Sequence, residues 1–200
     1  MAKLERVKKH DLLERIAHWV HLGNMILLVL SGMQIHFPAF NVFGSMSNAR
    51  FVHFVDMYLF FFLGVFHVYQ FFAEGKFTTA GPTPHNIRGL GATIKYYLFL
   101  GDREEERDKY NPLQIITYFL LFAVSALMAV AGFTLYWPVQ LSVLVNAFGG
   151  IMTLRQIHYL LSWLFLAFSL VHIYLVLTQP LKYIRAMVTG SYWRRAGSKS

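Results

Sequence analysis

Cysteine is absent from this chain of 200 residues. The chain can therefore form no disulfide, offer no thiolate to a metal, and bind no iron–sulfur cluster of its own. It also cannot attach a haem through the usual Cys-x-x-Cys-His motif. Charge is scarce as well: charged residues make up 14%, with 10 acids against 18 lysines and arginines. Within the long apolar stretches Asp56 is the sole acid. Any redox centre must be held by His, Met or carboxylate. What is abundant is apolar surface, with a hydrophobic fraction of 56%, including 19 Phe, 11 Tyr and 4 Trp, and a mean hydropathy of +0.45. A soluble chain of this size has no core large enough to hide so much, so residues 1–200 read as a single domain living in lipid. The N-terminus, Met1 to Arg15, is charged and runs into an apolar span with no small-residue cleavage site. It predicts a retained first helix instead of a removed signal peptide.

Four segments are long and apolar enough to cross a bilayer, at about residues 17–37, 51–73, 113–137 and 154–178. Pro38, Pro138 and Pro180 stand just beyond three of them, where helices stop. Residues 74–112 form a polar loop, in which the aromatic stretch Thr93 to Leu100 predicts a short interfacial helix. Cations set the orientation. The two tails and the 74–112 loop hold sixteen lysines and arginines, whereas the two connections on the opposite side hold only Arg50 and Arg155. By the positive-inside rule both termini and the 74–112 loop are cytoplasmic. The net charge of +8 thus reflects topology and implies no nucleic-acid partner.

The second and fourth spans each carry two histidines fourteen residues apart, His53 with His67 and His158 with His172. At ~1.5 Å and ~100° per residue, that step climbs ~21 Å and returns to within ~40° of the same face. Each pair therefore sets one imidazole near each side of a hydrocarbon core ~30 Å thick. With the termini inside, His53 and His158 form an outer layer, and His172 forms an inner layer with either His18 or His67. A single histidine in a membrane helix commonly just hydrogen-bonds to a neighbouring helix. Two co-facial pairs at equal spacing point instead to haem, which takes two axial ligands from different helices. Bis-imidazole ligation closes the iron to substrate, so such a haem moves single electrons. A cation transporter would also line its path with histidines, but it would want carboxylates beside them. The fold class that follows is an all-α membrane protein, a four-helix bundle holding two haems. Asp56 is expected as a hydrogen-bond acceptor near the outer haem, and Arg50 and Arg155 as propionate partners or surface anchors.

Several motifs resemble those of one family. Arg15-Ile16-Ala17-His18-Trp19 followed by Leu30-Ser31-Gly32 resembles the first helix of the b-type cytochrome subunits of membrane-bound nickel–iron hydrogenases. The formate dehydrogenase gamma subunits are close relatives of these. Arg50-Phe51-Val52-His53-Phe54 resembles the second-helix motif. Tyr110-Asn111-Pro112-Leu113-Gln114 and Gly132-Phe133-Thr134-Leu135-Tyr136 resemble the ends of the third helix, and His158 with Val171-His172-Ile173-Tyr174 the fourth. The resemblance spans nearly the whole chain, in order.

That resemblance implies His53 with His158 as axial ligands of a periplasmic haem b, and His18 with His172 as those of a cytoplasmic haem b. It leaves His67 as the alternative to His18. It further implies a quinone site, for menaquinone or ubiquinone, beside the inner haem at Tyr110, Asn111 and Gln114, where an amide and a phenol can hydrogen-bond a carbonyl. The Asn111-Pro112 pair also reads simply as a helix start with proline at its first position. The expected partners are an iron–sulfur subunit and a catalytic large subunit on the periplasmic side, together with quinone and the bilayer of a bacterial or archaeal cytoplasmic membrane. The expected role is electron transfer to quinone, with hydrogen or formate oxidation left to other chains. A stand-alone transmembrane di-haem shuttle is the competing class.

Overall fold

A computed structural model describes residues 4–73, 75, 81–101, 111–178 and 181–195. Four helices are long and apolar enough to cross a membrane: α1 (Leu12–His36), α2 (Met46–Ala73), α4 (Pro112–Tyr136) and α6 (Ile151–Thr178). Three shorter helices are α3 (Leu90–Tyr97), α5 (Ser142–Ala147) and α7 (Leu181–Thr189). Strands β1 (Leu4–Lys8) and β2 (Ser191–Arg195) complete the described elements.

The spanning helices start earlier than hydropathy alone suggests, α1 and α2 by five residues each. Hydropathy marks only the hydrocarbon slab, whereas a helix keeps its hydrogen bonds through the headgroup region, where Glu14, Arg15 and Arg50 are tolerated. Of the most apolar stretch of each spanning helix, only 22, 17, 22 and 11% is buried by protein. Surface this apolar left uncovered by protein is surface for lipid. The interfacial helix expected over residues 93–100 is α3, which stops at Leu98, just before Phe99 takes a left-handed φ of 60°.

The helices repeat. Those before the 74–112 loop are 25 and 28 residues long, and so are those after it. Positions 17, 24, 31 and 34 of α1 are buried, as are 117, 124, 131 and 134 of α4. In the same way Ala49 and Phe60 of α2 match the buried Leu154 and Phe165 of α6.

Contacts gather the chain into two compact units. A helical unit comprises residues 12–69 and 125–164. Its α1–α2 connection is tied down by one buried amide. Gln34 Nε2 donates to Asn41 Oδ1 (3.0 Å) and to the Ser45 carbonyl (3.1 Å), and Oε1 accepts from the Phe43 N–H (2.8 Å). A terminal unit comprises residues 1–11, 70–124 and 165–200. There the two chain ends pair as an antiparallel ribbon, from Leu4↔Arg195 to Lys8↔Ser191. Such pairing suits a chain with an even number of crossings. Gly190, with φ 87°, makes the turn from α7 into β2, and its carbonyl accepts from the N–H groups of Lys9 and His10.

Candidate functional site

His53 and His158 lie in the helical unit, and each rests on a glycine of the preceding spanning helix. A Cβ on Gly32 of α1 would stand 3.3 Å from His53 Cε1, and one on Gly132 of α4 would stand 3.4 Å from His158 Cε1. The Gly132 position would also be 3.8 Å from Met57 Sδ on α2. An alanine would already touch the imidazole at either position, and a branched side chain such as valine would have to displace it.

His53 Nδ1 lies 3.0 Å from Ser31 Oγ. The single hydroxyl proton of Ser31 is committed to the backbone carbonyls of its own helix, at 2.6 Å from Leu27 O and 3.2 Å from Leu28 O. Ser31 must therefore accept from Nδ1–H, which leaves the lone pair of a neutral His53 on Nε2. A haem iron needs that tautomer, fixed by a second contact at the far nitrogen. His158 Nδ1 is buried without a hydrogen-bond partner, because the residue before its glycine is Ala131 where His53 has Ser31. Two imidazoles from different helices, backed by close glycines in apolar surroundings, fit a flat macrocycle with two axial ligands. Among the described residues no group of three or more His, Cys, Asp or Glu gathers as a bare-ion site would require.

The other histidines divide between the units. In the helical unit His21 stacks on Phe60 at 5.5 Å and meets His67 edge-on at 5.6 Å. His18 packs edge-on against Trp19 at 5.4 Å. His67 Nδ1 donates to the Leu63 carbonyl at 2.7 Å, since a carbonyl can only accept, which in the neutral ring leaves the lone pair on Nε2. His172 is in the terminal unit, edge-on to Tyr118 at 5.5 Å. Asp56 is buried, and its backbone carbonyl accepts from Asn24 Nδ2 at 2.9 Å.

At the start of α4, Asn111 and Gln114 form a reciprocal cap. Asn111 Oδ1 accepts from the Gln114 N–H (2.8 Å), and Gln114 Oε1 accepts from the Asn111 N–H (3.2 Å). Asn111 Nδ2 donates to the Tyr97 hydroxyl at 3.2 Å, and Tyr97 meets Tyr174 at 6.4 Å. Gln114 Nε2 takes no part in the cap. Tyr110 lies outside the described residues. Sequence reasoning gave no role to Gly32, Gly132, Ser31 or Tyr97. One signal for the first two was available: Gly32 follows His18, and Gly132 follows Tyr118, by the same fourteen residues that separate the histidine pairs.

Four apolar spanning helices with paired intramembrane histidines define a membrane cytochrome b. The chain belongs to the prokaryotic cytochrome b561 family, whose model matches residues 9–190. That family implies b-type haem and integral membrane residence. Among its relatives is a nickel–iron hydrogenase B-type cytochrome subunit of Rhizobium leguminosarum bv. viciae, 27% identical over 201 residues, covering 88% of this chain and 84% of the relative. A counterpart named for hydrogenase 1 of Escherichia coli K12 is 26% identical, covering 90% of this chain and 87% of the relative. A third, from Azospira oryzae and named as a protein-methionine-sulfoxide reductase subunit, YedZ1, is 26% identical, covering 88% of this chain and 93% of the relative.

Proposed function

We propose that this chain is the di-haem membrane subunit of a hydrogenase-type respiratory complex. It takes electrons from an iron–sulfur subunit on the periplasmic side and delivers them to quinone near the cytoplasmic surface. Haem b held between two imidazoles supplies one-electron transfer and offers no open coordination site. His53 and His158 hold the outer group. His18 and His172 hold the inner one, with His67 as the alternative to His18. Two groups are required because one macrocycle cannot bridge a core ~30 Å thick. Quinone binds at the start of α4, where Tyr110, Asn111 and Gln114, joined by Tyr97, offer neutral hydrogen-bonding groups within reach of water for proton uptake. Asn111 contributes through its amide as well as through its cap. The cation distribution supports cytoplasmic termini, and the hydrogenase relatives support the partner.

The observation that carries this reading is the glycine-backed pair His53 and His158, with the His53 tautomer fixed by Ser31. The purified chain is expected to contain two haems b, low-spin in both oxidation states, by pyridine haemochrome and difference spectra. A haem content near zero, or a ferrous form that binds CO readily, overturns it. The YedZ1 relative favours a second reading, in which the same path runs outward from quinone to a reductase. Identification of the co-purifying soluble subunit separates the two.

A further inference from the structure

Residues 4–8 and 181–195 were expected only as parts of charged tails, but they form β1, α7 and β2. Within the terminal unit, the β1–β2 ribbon and α7 enclose a cleft of about 580 Å³ lined by Arg6, Leu181, Arg185, Thr189, Ser191 and Trp193. Arg6 and Trp193 are direct cross-strand partners and so share one face of the ribbon. Arg6 Nε donates to Ser191 Oγ at 2.7 Å, which aims the guanidinium and leaves its two terminal nitrogens side by side for an oxyanion. Thr189 Oγ1 bridges the Arg185 and Ser191 carbonyls (3.0 and 2.9 Å), locking the end of α7 to the start of β2. Among the described residues no carboxylate pairs with Arg6 or Arg185, while nearby Lys8 is paired with Asp11.

The cleft's place in the chain says what it meets. Ribbon strand β1 ends four residues before α1 begins, and α7 begins three residues after α6 ends. Both flanking helices are membrane spans, so the cleft stands at the level where spans leave the hydrocarbon. Leu181 and Trp193 are 75% and 62% exposed, an aliphatic and an indole side chain beside two guanidiniums. An indole at this depth is a usual interfacial anchor. Two unpaired guanidiniums with an apolar rim are complementary to a phosphate that carries acyl chains.

We infer that this cleft binds the phosphate of an anionic phospholipid, clamped between Arg6 and Arg185 with its glycerol and upper acyl region against Leu181 and Trp193. Free phosphate shares the head-group chemistry but makes no use of the apolar rim. The site stands whichever redox partner the chain serves.

Native mass spectrometry of the full haem-loaded chain tests this, with phosphatidylglycerol, phosphatidylcholine and inorganic phosphate offered separately. Phosphatidylglycerol should be retained in preference to phosphatidylcholine. The Arg6→Gln/Arg185→Gln pair should lower its occupancy about ten-fold or more, as loss of charge-assisted contacts implies. The haem absorbance of each variant reports its folding. Should the double variant fail to assemble, Trp193→Ala and Arg185→Lys are expected to weaken retention by smaller factors. Arg88→Gln/Lys95→Gln, which removes equal charge elsewhere, should leave retention unchanged. Equal retention of the two lipids, binding of inorganic phosphate as tight as that of the lipid, or equal losses from the Arg88/Lys95 control would overturn the inference.

Discussion

The helix pair α1–α2 and the helix pair α4–α6 are two versions of one plan. The bounds of α1 recur in α4 at an offset of 100, and those of α2 recur in α6 at an offset of 105. Gly32 then matches Gly132, His53 matches His158 and His67 matches His172. The packing of the His53–His158 level is the same in both versions, a glycine backbone against Cε1. The differences lie in polar groups: Ser31 against Ala131, His18 against Tyr118, and Asp11 and Glu14 against Asn111 and Gln114. The two versions share a shape and differ in hydrogen-bonding groups, so the differing positions are where substitutions can test what each version does.

The largest effects should come from the ligands. His53→Ala and His158→Ala should each remove the same haem, taking the chain from two haems to one. His18→Ala or His172→Ala should remove the other. Strict symmetry between the two versions would pair His67 with His172, as it pairs His53 with His158. The resemblance to the hydrogenase cytochromes implies His18 instead. Haem counts of His18→Ala and His67→Ala decide between them, and loss in His67→Ala with retention in His18→Ala would restore the symmetrical arrangement.

Next come the glycines. Valine at position 32 or 132 should displace the imidazole behind it, with loss of the haem at that level and overpacking of about 1–3 kcal/mol. Thermal melts and haem titration measure both. Retention of two haems by both valine variants would mean that the close approach is packing alone.

Smaller still is the exchange at Ser31 and Ala131. Ser31→Ala leaves the His53 Nδ1–H without an acceptor, at a cost of about 1–3 kcal/mol if nothing replaces it. A weaker bond at Nδ1 makes the imidazole a poorer donor to iron, so the midpoint potential of that haem should rise. Ala131→Ser supplies the missing hydroxyl to His158, and the potential should fall. Redox titration reads both signs, and shifts in the same direction would break the proposed correspondence of the two positions.

Much of this is legible in the amino-acid sequence. Spans follow from hydropathy because a bilayer admits little else, and the ends differ only where helices extend into the headgroups. The fourteen-residue step in the histidines was plain for the same geometric reason. The glycines were harder to read, because a small residue in an apolar run announces a close approach without saying to what. Ser31 was invisible as a partner, since its bond crosses from α1 to α2 and depends on the register between them. The ribbon and α7 were hidden by charge: Arg6, Lys8 and Arg185 read as a solvated tail, and Leu4, Val7, Tyr192 and Trp193 are scattered among the charges without the two-residue period that marks a strand.

The smallest expected effect concerns the starts of α1 and α4, and it bears on where quinone binds. At matching positions the first helix start has Asp11 and Glu14, and the second has the capping pair Asn111 and Gln114. Only the second pair can donate as well as accept, because a carboxylate has no hydrogen to give. A leucine at Asn111 would remove the cap and the donor together, with loss of about 0.5–2 kcal/mol at the helix start, so slow quinone reduction in that variant would have two explanations. Converting the second start into the first, with Asn111→Asp and Gln114→Glu, separates them. Oδ1 and Oε1 are retained for the cap, and negative charge at a helix N-terminus is favourable. What disappears is the Nδ2 donor to Tyr97 and the Gln114 amide hydrogens. Thermal stability and haem content should then be unchanged, while quinone reduction slows several-fold, in line with a lost hydrogen bond of about 0.5–1.5 kcal/mol. Tyr97→Phe should slow it similarly, and Tyr110→Phe as well, without altering the cap. Stopped-flow reoxidation of the haems by a quinone analogue measures all three. Normal rates throughout would reduce Asn111 and Gln114 to a helix cap and move the quinone elsewhere.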